Sequence, residues 1–139
     1  MDSMSVVSLR KILVVDDNEL SGRLLLSILV KAGYDVELCH RGSDAIEKIE
    51  NAKIKYDLIL TDVLMPLMGG FDFIGRVKKM GGLSAFMVVS CMRDHETMVK
   101  AKSLGASDYI TKPFKKDDII EKLESFFNRS DKMADASGL

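Results

Sequence analysis

The strongest constraint on the fold is a set of short apolar runs, each of which stops abruptly at a polar residue. Three of them are nearly uninterrupted: Lys11–Val15, Leu58–Leu60 and Phe86–Val89. Each is too short for a core helix and is bounded by polar or turn-forming residues, which favours a strand covered on both faces. Two weaker runs, Asp35–Cys39 and Ser107–Thr111, predict two further strands.

Between these runs, apolar residues recur three and four positions apart, which is helical spacing. Leu20 and Leu24 begin the first such stripe, and Gly33 follows it where a left-handed cap residue belongs. Gly81–Gly82 and Gly105 end later helices in the same way. Five strands that alternate with five helices predict an α/β fold with a parallel sheet between two helical layers.

Composition narrows the functional classes. With 139 residues, 47% of them hydrophobic, the chain suits one domain. Its formal net charge of -1 disfavours direct binding to nucleic acid or anionic lipid. No apolar run approaches the ~20 residues that span a bilayer, and the polar start lacks a signal-peptide core. We therefore expect a cytoplasmic protein without membrane association, in which Cys39 and Cys91 are reduced.

Polar side chains that can react or bind a ligand lie at the ends of four predicted strands. Asp16 and Asp17 follow the first strand, Asp62 follows the third, and Ser90 and Lys112 end the last two. Singly, each also suits a helix cap, a turn or a solvated surface, but together they would meet at the sheet edge where ligands bind. Crowded carboxylates repel by about 4 kcal/mol per pair at ~4 Å in a surface-like dielectric, so a cation is expected. Mg²⁺ suits such an oxygen-only site.

The order and spacing of these motifs resemble the receiver domain of two-component response regulators. The motifs are Val14-Val15-Asp16-Asp17, Asp62 with Met65-Pro66, Ser90, and Tyr109-Ile110-Thr111-Lys112-Pro113-Phe114. The resemblance covers roughly residues 9–127 and implies a flavodoxin-like (βα)5 fold with strand order 2-1-3-4-5. Residues 1–8 and 128–139 are then expected to be flexible segments outside the domain.

The resemblance also implies a magnesium-dependent phosphoacceptor. Asp62 would accept a phosphoryl group from the phosphohistidine of a histidine kinase or histidine phosphotransfer protein. Asp17 and Asp62 would bind Mg²⁺ directly, Asp16 through a water molecule, and Leu64 through its backbone carbonyl.

Lys112 and the Ser90 hydroxyl would contact the phosphoryl oxygens. Ser90 would then move toward the phosphate, and Tyr109 would turn into the vacated space. The face formed by the last strand and the last two helices would bind a downstream protein target. The resemblance further implies a cis Lys112–Pro113 peptide. Such a domain catalyses only its own phosphorylation and dephosphorylation.

Three residues depart from the family pattern. Gly69 stands where an Asp is frequent, which removes a local acceptor and adds backbone freedom before the third helix. Leu64 and Met92, two residues after Asp62 and Ser90, are apolar and cannot orient an attacking water. We therefore expect a slowly hydrolysed phosphoryl group.

Other functions fit less well. A haloacid dehalogenase phosphatase needs a second Asp where Leu64 stands. A flavodoxin needs hydroxyls and amides around its phosphate, and Asp16 and Asp17 would repel that phosphate. A receiver-fold docking module that works without phosphorylation remains the main alternative, as does a receiver fragment of a hybrid kinase or larger regulator.

Overall fold

The computed structural model describes residues 9–81 and 84–137, which form five strands and five helices in alternation. The strands are β1 (Lys11–Val15), β2 (Asp35–Cys39), β3 (Leu58–Thr61), β4 (Ala85–Ser90) and β5 (Asp108–Thr111). The helices are α1 (Glu19–Lys31), α2 (Gly42–Asn51), α3 (Gly70–Lys79), α4 (His95–Ser103) and α5 (Lys116–Ser137). The expected flexible segment 1–8 and the predicted helix-ending Gly82 lie outside the described residues.

The strands form one parallel sheet in the order β2-β1-β3-β4-β5, which confirms the predicted flavodoxin-like topology. The chain passes from β1 to the edge at β2 and then crosses back to β3, so β1 and β3 are neighbours at the topological switch point. Val15 pairs with Thr61 in this register. The residues that follow these two strands therefore emerge side by side at the carboxyl edge of the sheet.

Helices cover both faces of the sheet. One buried cluster joins the sheet to α1 and α5 through residues that include Leu25 and Ile119. The other joins it to α2, α3 and α4 through residues that include Ala45, Phe73 and Ala101. Because β1, β3 and β4 are buried along both faces, their side chains are almost uniformly apolar, as the sequence predicts.

The first helix differs from its predicted apolar stripe at one end. Its buried positions are Gly22, Leu25, Ile28 and Leu29. Leu20 is 81% exposed and Leu24 is 51% exposed. The sheet contacts only one side of the helix, and these two leucines project from another side, beside Pro113 and Phe114 in the connection between β5 and α5. They are thus surface residues at the carboxyl edge.

The last helix is longer than the sequence predicts. A flexible tail is expected from residue 128, but α5 continues to Ser137. Arg10, which precedes β1, forms an ion pair with Asp131 and lies over the ring of Phe127. The sequence of residues 128–137 is mostly polar and shows no apolar stripe, which is why hydrophobic periodicity missed this part.

Two further expectations concern membranes and thiols. Among the described residues, no helix combines the length and apolar character needed to cross a bilayer.

Both cysteines are free; Cys39 is buried and Cys91 is exposed. Burial raises the pKa of the Cys39 thiol to about 11, so this group stays protonated at neutral pH.

Candidate functional site

Three carboxylates converge at the carboxyl edge of β1 and β3. One oxygen from each of Asp16, Asp17 and Asp62 lies within 4.8 Å of the others. The sheet produces this arrangement directly, because the Asp62 amide donates to the Val15 carbonyl at 3.0 Å. Asp16 and Asp62 are 2% and 7% exposed, whereas Asp17 faces solvent. The cluster is therefore open to solution on the Asp17 side.

Lys112 neutralises the two buried members of this cluster. Its Nζ lies 2.7 Å from Oδ2 of Asp16 and 2.7 Å from Oδ2 of Asp62. Partial burial by itself lowers the pKa of Lys112, but the hydrogen bonds and charges of Asp16 and Asp62 outweigh it, so the pKa is raised overall. The ammonium therefore stays charged at neutral pH.

The second oxygen of Asp62 is held by the loop that follows β3. Oδ1 accepts a hydrogen bond from the Val63 amide at 2.6 Å, and the Leu64 amide lies 3.4 Å away. Together with Lys112 on Oδ2, these contacts restrict rotation of the carboxyl group. The Leu64 side chain is exposed, and the proposed ligand role of its carbonyl stays a prediction.

The start of α3 packs directly against the backbone of Asp62. A Cβ atom at Gly70 would lie 1.9 Å from the Asp62 carbonyl oxygen. The Gly70 amide also donates to the Val63 carbonyl at 2.8 Å. Only glycine permits this approach, so Gly70 is a structural requirement of the site that hydrophobic pattern and motif spacing did not single out. At Gly69, the N-cap, no side-chain hydrogen bond caps α3, in accord with the missing acceptor noted in the sequence.

Asp16 is positioned by its own neighbours. Its Oδ1 accepts from the Asn18 amide at 3.0 Å, and Asn18 in turn caps α1 by accepting from the Ser21 amide. Nδ1 of His40 lies 2.9 Å from the Asp16 backbone carbonyl. These contacts fix the first acidic loop against the start of α1 and the end of β2.

The predicted switch residues meet in the loop between β4 and α4. Ser90 is fully buried, and its hydroxyl accepts from the Met92 amide at 3.2 Å. The Tyr109 hydroxyl donates to the Met92 carbonyl at 2.6 Å. Partial burial raises the pKa of Tyr109, while the Ser90 hydroxyl acts in the opposite direction. The structure therefore brings Ser90 and Tyr109 to one loop, although neither hydroxyl bonds to the carboxylates among the described residues.

The backbone of Lys112 is tied to the same loop. Its amide donates to the Ser90 carbonyl at 2.9 Å, and its carbonyl accepts from the Arg93 guanidinium at 2.9 Å. The following peptide, Lys112–Pro113, is cis, as the resemblance implies. Arg93 carries no sequence signal, because an exposed arginine in a loop has no spacing pattern that reveals its partner.

Exposed leucines border the site. Leu20 and Leu24 line a cavity of about 200 Å³ together with Pro113 and Phe114. The loop after β3 exposes a further leucine, Leu67, which is 96% exposed and has a positive φ of 69°. The rim of the acidic cluster is therefore partly apolar.

The donor set fits Mg²⁺. Three carboxylates at one solvent-accessible edge form an oxygen-only group, and hard divalent cations prefer such ligands. Asp17 has no ion-pair partner in the described part of the chain, so its oxygens are available. The roles expected from the sequence, direct binding by Asp17 and Asp62 and binding through a water molecule by Asp16, stay predictions.

Comparison with known proteins identifies the family. The sequence model for the response regulator receiver domain matches residues 12–124. The chain belongs to the response regulator receiver family. This receiver is 33% identical over 115 residues to the chemotaxis protein CheY of Thermotoga maritima, an alignment that covers 82% of this chain and 94% of that protein.

Further relatives agree. The receiver is 30% identical to the transcriptional regulatory protein PcoR of Escherichia coli, over 88% of this chain and 53% of that protein. The chain thus spans about half the length of this regulator. A crystal structure of a CheY-like receiver domain from Methanospirillum hungatei superposes with a TM-score of 0.82 at 29% identity, covering 91% of this chain and 99% of the other. The family and the fold expected from the sequence are both confirmed.

Proposed function

We propose that this receiver accepts a phosphoryl group on Asp62 from the phosphohistidine of a histidine kinase or phosphotransfer protein in the cytoplasm. The observation that carries this proposal is the position of the Lys112 ammonium, 2.7 Å from both Asp16 and Asp62 within a three-carboxylate cluster. A purely structural ion pair needs one carboxylate. A third acid at the same edge, which has no ion-pair partner in the described part of the chain, adds repulsion that a bound cation would relieve.

The chain's own residues supply the positioning that phosphoryl transfer requires. A P–O bond forms to a carboxylate oxygen of Asp62 as the P–N bond of the donor breaks, and the electron pair stays on the donor nitrogen. Mg²⁺, when bound by Asp17 and Asp62, neutralises negative charge on the phosphoryl oxygens. Lys112 supplies a second positive charge, and the Val63 amide orients the acceptor carboxylate.

The apolar rim suits a protein as phosphodonor. A small donor needs only the charged cluster, whereas a protein surface can cover Leu20, Leu24 and Leu67 as it docks. Burial of exposed leucines contributes to association at roughly 25 cal/mol per Å² of apolar area. The partner is therefore proposed to present its phosphohistidine from an apolar surface.

We propose that a downstream protein binds the surface formed by α4, β5 and α5, and that phosphorylation changes this surface. Helix α4 is weakly anchored, since Ala101 is its single buried residue. Beside it, Met98 and Val99 line a cavity of about 500 Å³ that also contacts Tyr109. Tyr109 bonds to the loop that carries Ser90, so a movement of that loop changes this surface. A downstream protein that binds there would sense phosphorylation.

Intact mass spectrometry after incubation with acetyl phosphate and Mg²⁺ tests the proposal. The wild-type protein should gain the mass of one phosphoryl group, and omission of Mg²⁺ or addition of EDTA should prevent the gain. Asp62→Asn should abolish it, while Asp44→Asn, which changes an exposed acid on α2, should not. Labelling that persists in Asp62→Asn would mean that another residue is the phosphoacceptor, and its absence in the wild type would favour the docking module that works without phosphorylation.

A further inference from the structure

The backbone of Lys112 is held on one side by the last residue of β4 and on the other by the segment that connects β4 to α4. The Lys112 amide donates to Ser90, and the Lys112 carbonyl accepts from Arg93, each at 2.9 Å. At the other end of this residue, Nζ reaches Asp16 and Asp62. Lys112 therefore connects the acidic cluster to the loop that contains the Ser90 hydroxyl.

The Arg93 contact differs in kind from the Ser90 contact. The bond to Ser90 continues the parallel ladder between β4 and β5, in which Ser90 pairs with Thr111. The bond from Arg93 comes from a side chain beyond the strand, so it can form or break without disturbing the sheet. A planar guanidinium is suited to hold a carbonyl in a fixed direction.

The same loop is tied to β5 at a third point through the Tyr109 hydroxyl and the Met92 carbonyl. Met92 and Arg93 are adjacent, so a shift of the loop changes both contacts. Through these two bonds, a change in the position of Met92 and Arg93 would affect both Tyr109 and Lys112.

We propose that Arg93 is a positioning residue for Lys112. Its guanidinium holds the Lys112 carbonyl so that Nζ stays directed at Asp62, and it couples the lysine to the loop that responds to phosphorylation. The proposal rests on the proposed function, because it assigns Arg93 a role in phosphoryl acceptance.

A double-mutant cycle tests this role. The rate of mass gain with acetyl phosphate and Mg²⁺ is measured for the wild type, Arg93→Ala, Lys112→Ala and the double variant. We expect Arg93→Ala to lower the rate about fivefold, which corresponds to about 1 kcal/mol at 1.4 kcal/mol per tenfold change. In the Lys112→Ala background, the same change should have no further effect, because the residue through which Arg93 acts is gone.

A matched variant separates geometry from charge. Lys115→Ala removes another exposed positive charge close to Lys112 in sequence, and it should leave the rate unchanged. An equal loss in Lys115→Ala and Arg93→Ala would show that Arg93 contributes only its charge, and the same fivefold loss in both backgrounds would show that Arg93 does not act through Lys112. A wild-type rate in Arg93→Ala would also overturn the proposal.

A second measurement does not depend on phosphorylation. In the Mg²⁺-free wild type, the Lys112 ammonium should give a slowly exchanging ¹H–¹⁵N signal because it is bonded to two carboxylates. Arg93→Ala should broaden or remove this signal, and Lys115→Ala should keep it. If the wild type takes up no phosphate, the proposed function fails, but the signal still shows whether Arg93 positions Lys112; an unchanged signal in Arg93→Ala refutes that.

Discussion

Nζ of Lys112 lies 2.7 Å from Oδ2 of Asp62, although 50 residues separate them along the chain. The same ammonium bonds Asp16 at the same distance, so one cation serves two buried acids. In the Mg²⁺-free protein, Lys112 therefore stabilises the fold as well as preparing the site. Each role can be measured separately.

Removal of the lysine charge should destabilise the Mg²⁺-free protein. Loss of one partner of a buried ion pair costs about 3–5 kcal/mol, and we expect about 2 kcal/mol for Lys112→Met because its side chain keeps 15% exposure. Urea unfolding in EDTA measures the difference, and Lys112→Arg, which keeps the charge, should lose less. Equal midpoints for wild type and Lys112→Met would contradict the prediction.

The pH dependence of this stabilisation follows from the raised pKa of Lys112. A raised folded-state pKa gives stability that is complete below the ordinary lysine value of 10.5 and is lost as the pH rises through the folded value. The difference in the free energy of unfolding between wild type and Lys112→Met should therefore stay constant from neutral pH upward and decrease only above about pH 10.5.

The Asp17 carboxylate should lower the free energy of unfolding in the absence of metal and raise it when Mg²⁺ is bound. Its carboxylate adds repulsion of about 1 kcal/mol per pair at ~4 Å when solvent screens the charges. Asp17→Asn should thus raise the urea midpoint in EDTA, yet lose most of the stabilisation that millimolar Mg²⁺ gives the wild type. If Mg²⁺ stabilised both proteins equally, Asp17 would not be a ligand.

Gly70 and Gly75 form a matched pair on α3. Alanine at Gly70 would place Cβ 1.9 Å from the Asp62 carbonyl oxygen, whereas nothing lies within 4 Å of a Cβ at Gly75. We expect Gly70→Ala to cost at least about 2 kcal/mol and to slow phosphorylation, because the backbone of Asp62 must shift. Gly75→Ala should stabilise the helix by about 0.5–1 kcal/mol. Similar unfolding midpoints for the two variants would contradict this steric argument.

Leu67 carries backbone strain that its side chain does not offset. Its φ is 69°, and its side chain is 96% exposed, so little burial is gained. Asparagine tolerates the left-handed region, and Leu67→Asn should stabilise the protein by about 1 kcal/mol. A β-branched residue in Leu67→Val should destabilise it by a similar amount. Thermal unfolding of both variants gives the sign, and a lower midpoint for Leu67→Asn would rule out strain at this position.

The phosphoryl group on Asp62 should be lost slowly, over minutes or longer. The Leu64 side chain is exposed but apolar, and Met92 is half-buried, so neither orients a water molecule. Leu64→Asn supplies an amide that can hold water, and it should shorten the half-life roughly threefold, or about 0.7 kcal/mol of barrier. Ile54→Asn, at an exposed site on the α2–β3 connection, is the control. A half-life of seconds in the wild type would refute the premise.

The alternation of strands and helices and the placement of the acids at strand ends could be predicted from local pattern, whereas the strand order came from the resemblance to the receiver family. Short apolar runs that end in Asp16 and Asp62 favour buried strands with polar tips, and parallel strands bring such tips to one edge. The same reasoning placed Ser90 and Lys112 at that edge, and the family motifs then implied their roles. The α5 extension was missed because its polar residues show no apolar periodicity.

The sequence by itself determined the order of the elements and the edge at which the charged residues collect. The tertiary structure alone decided that Lys112 bonds two acids at once, that Gly70 must lack a side chain, and that Arg93 holds the Lys112 carbonyl. Periodicity reports which face of an element is apolar. A contact between distant residues depends on how those elements pack, to within an ångström, and no local pattern records that distance.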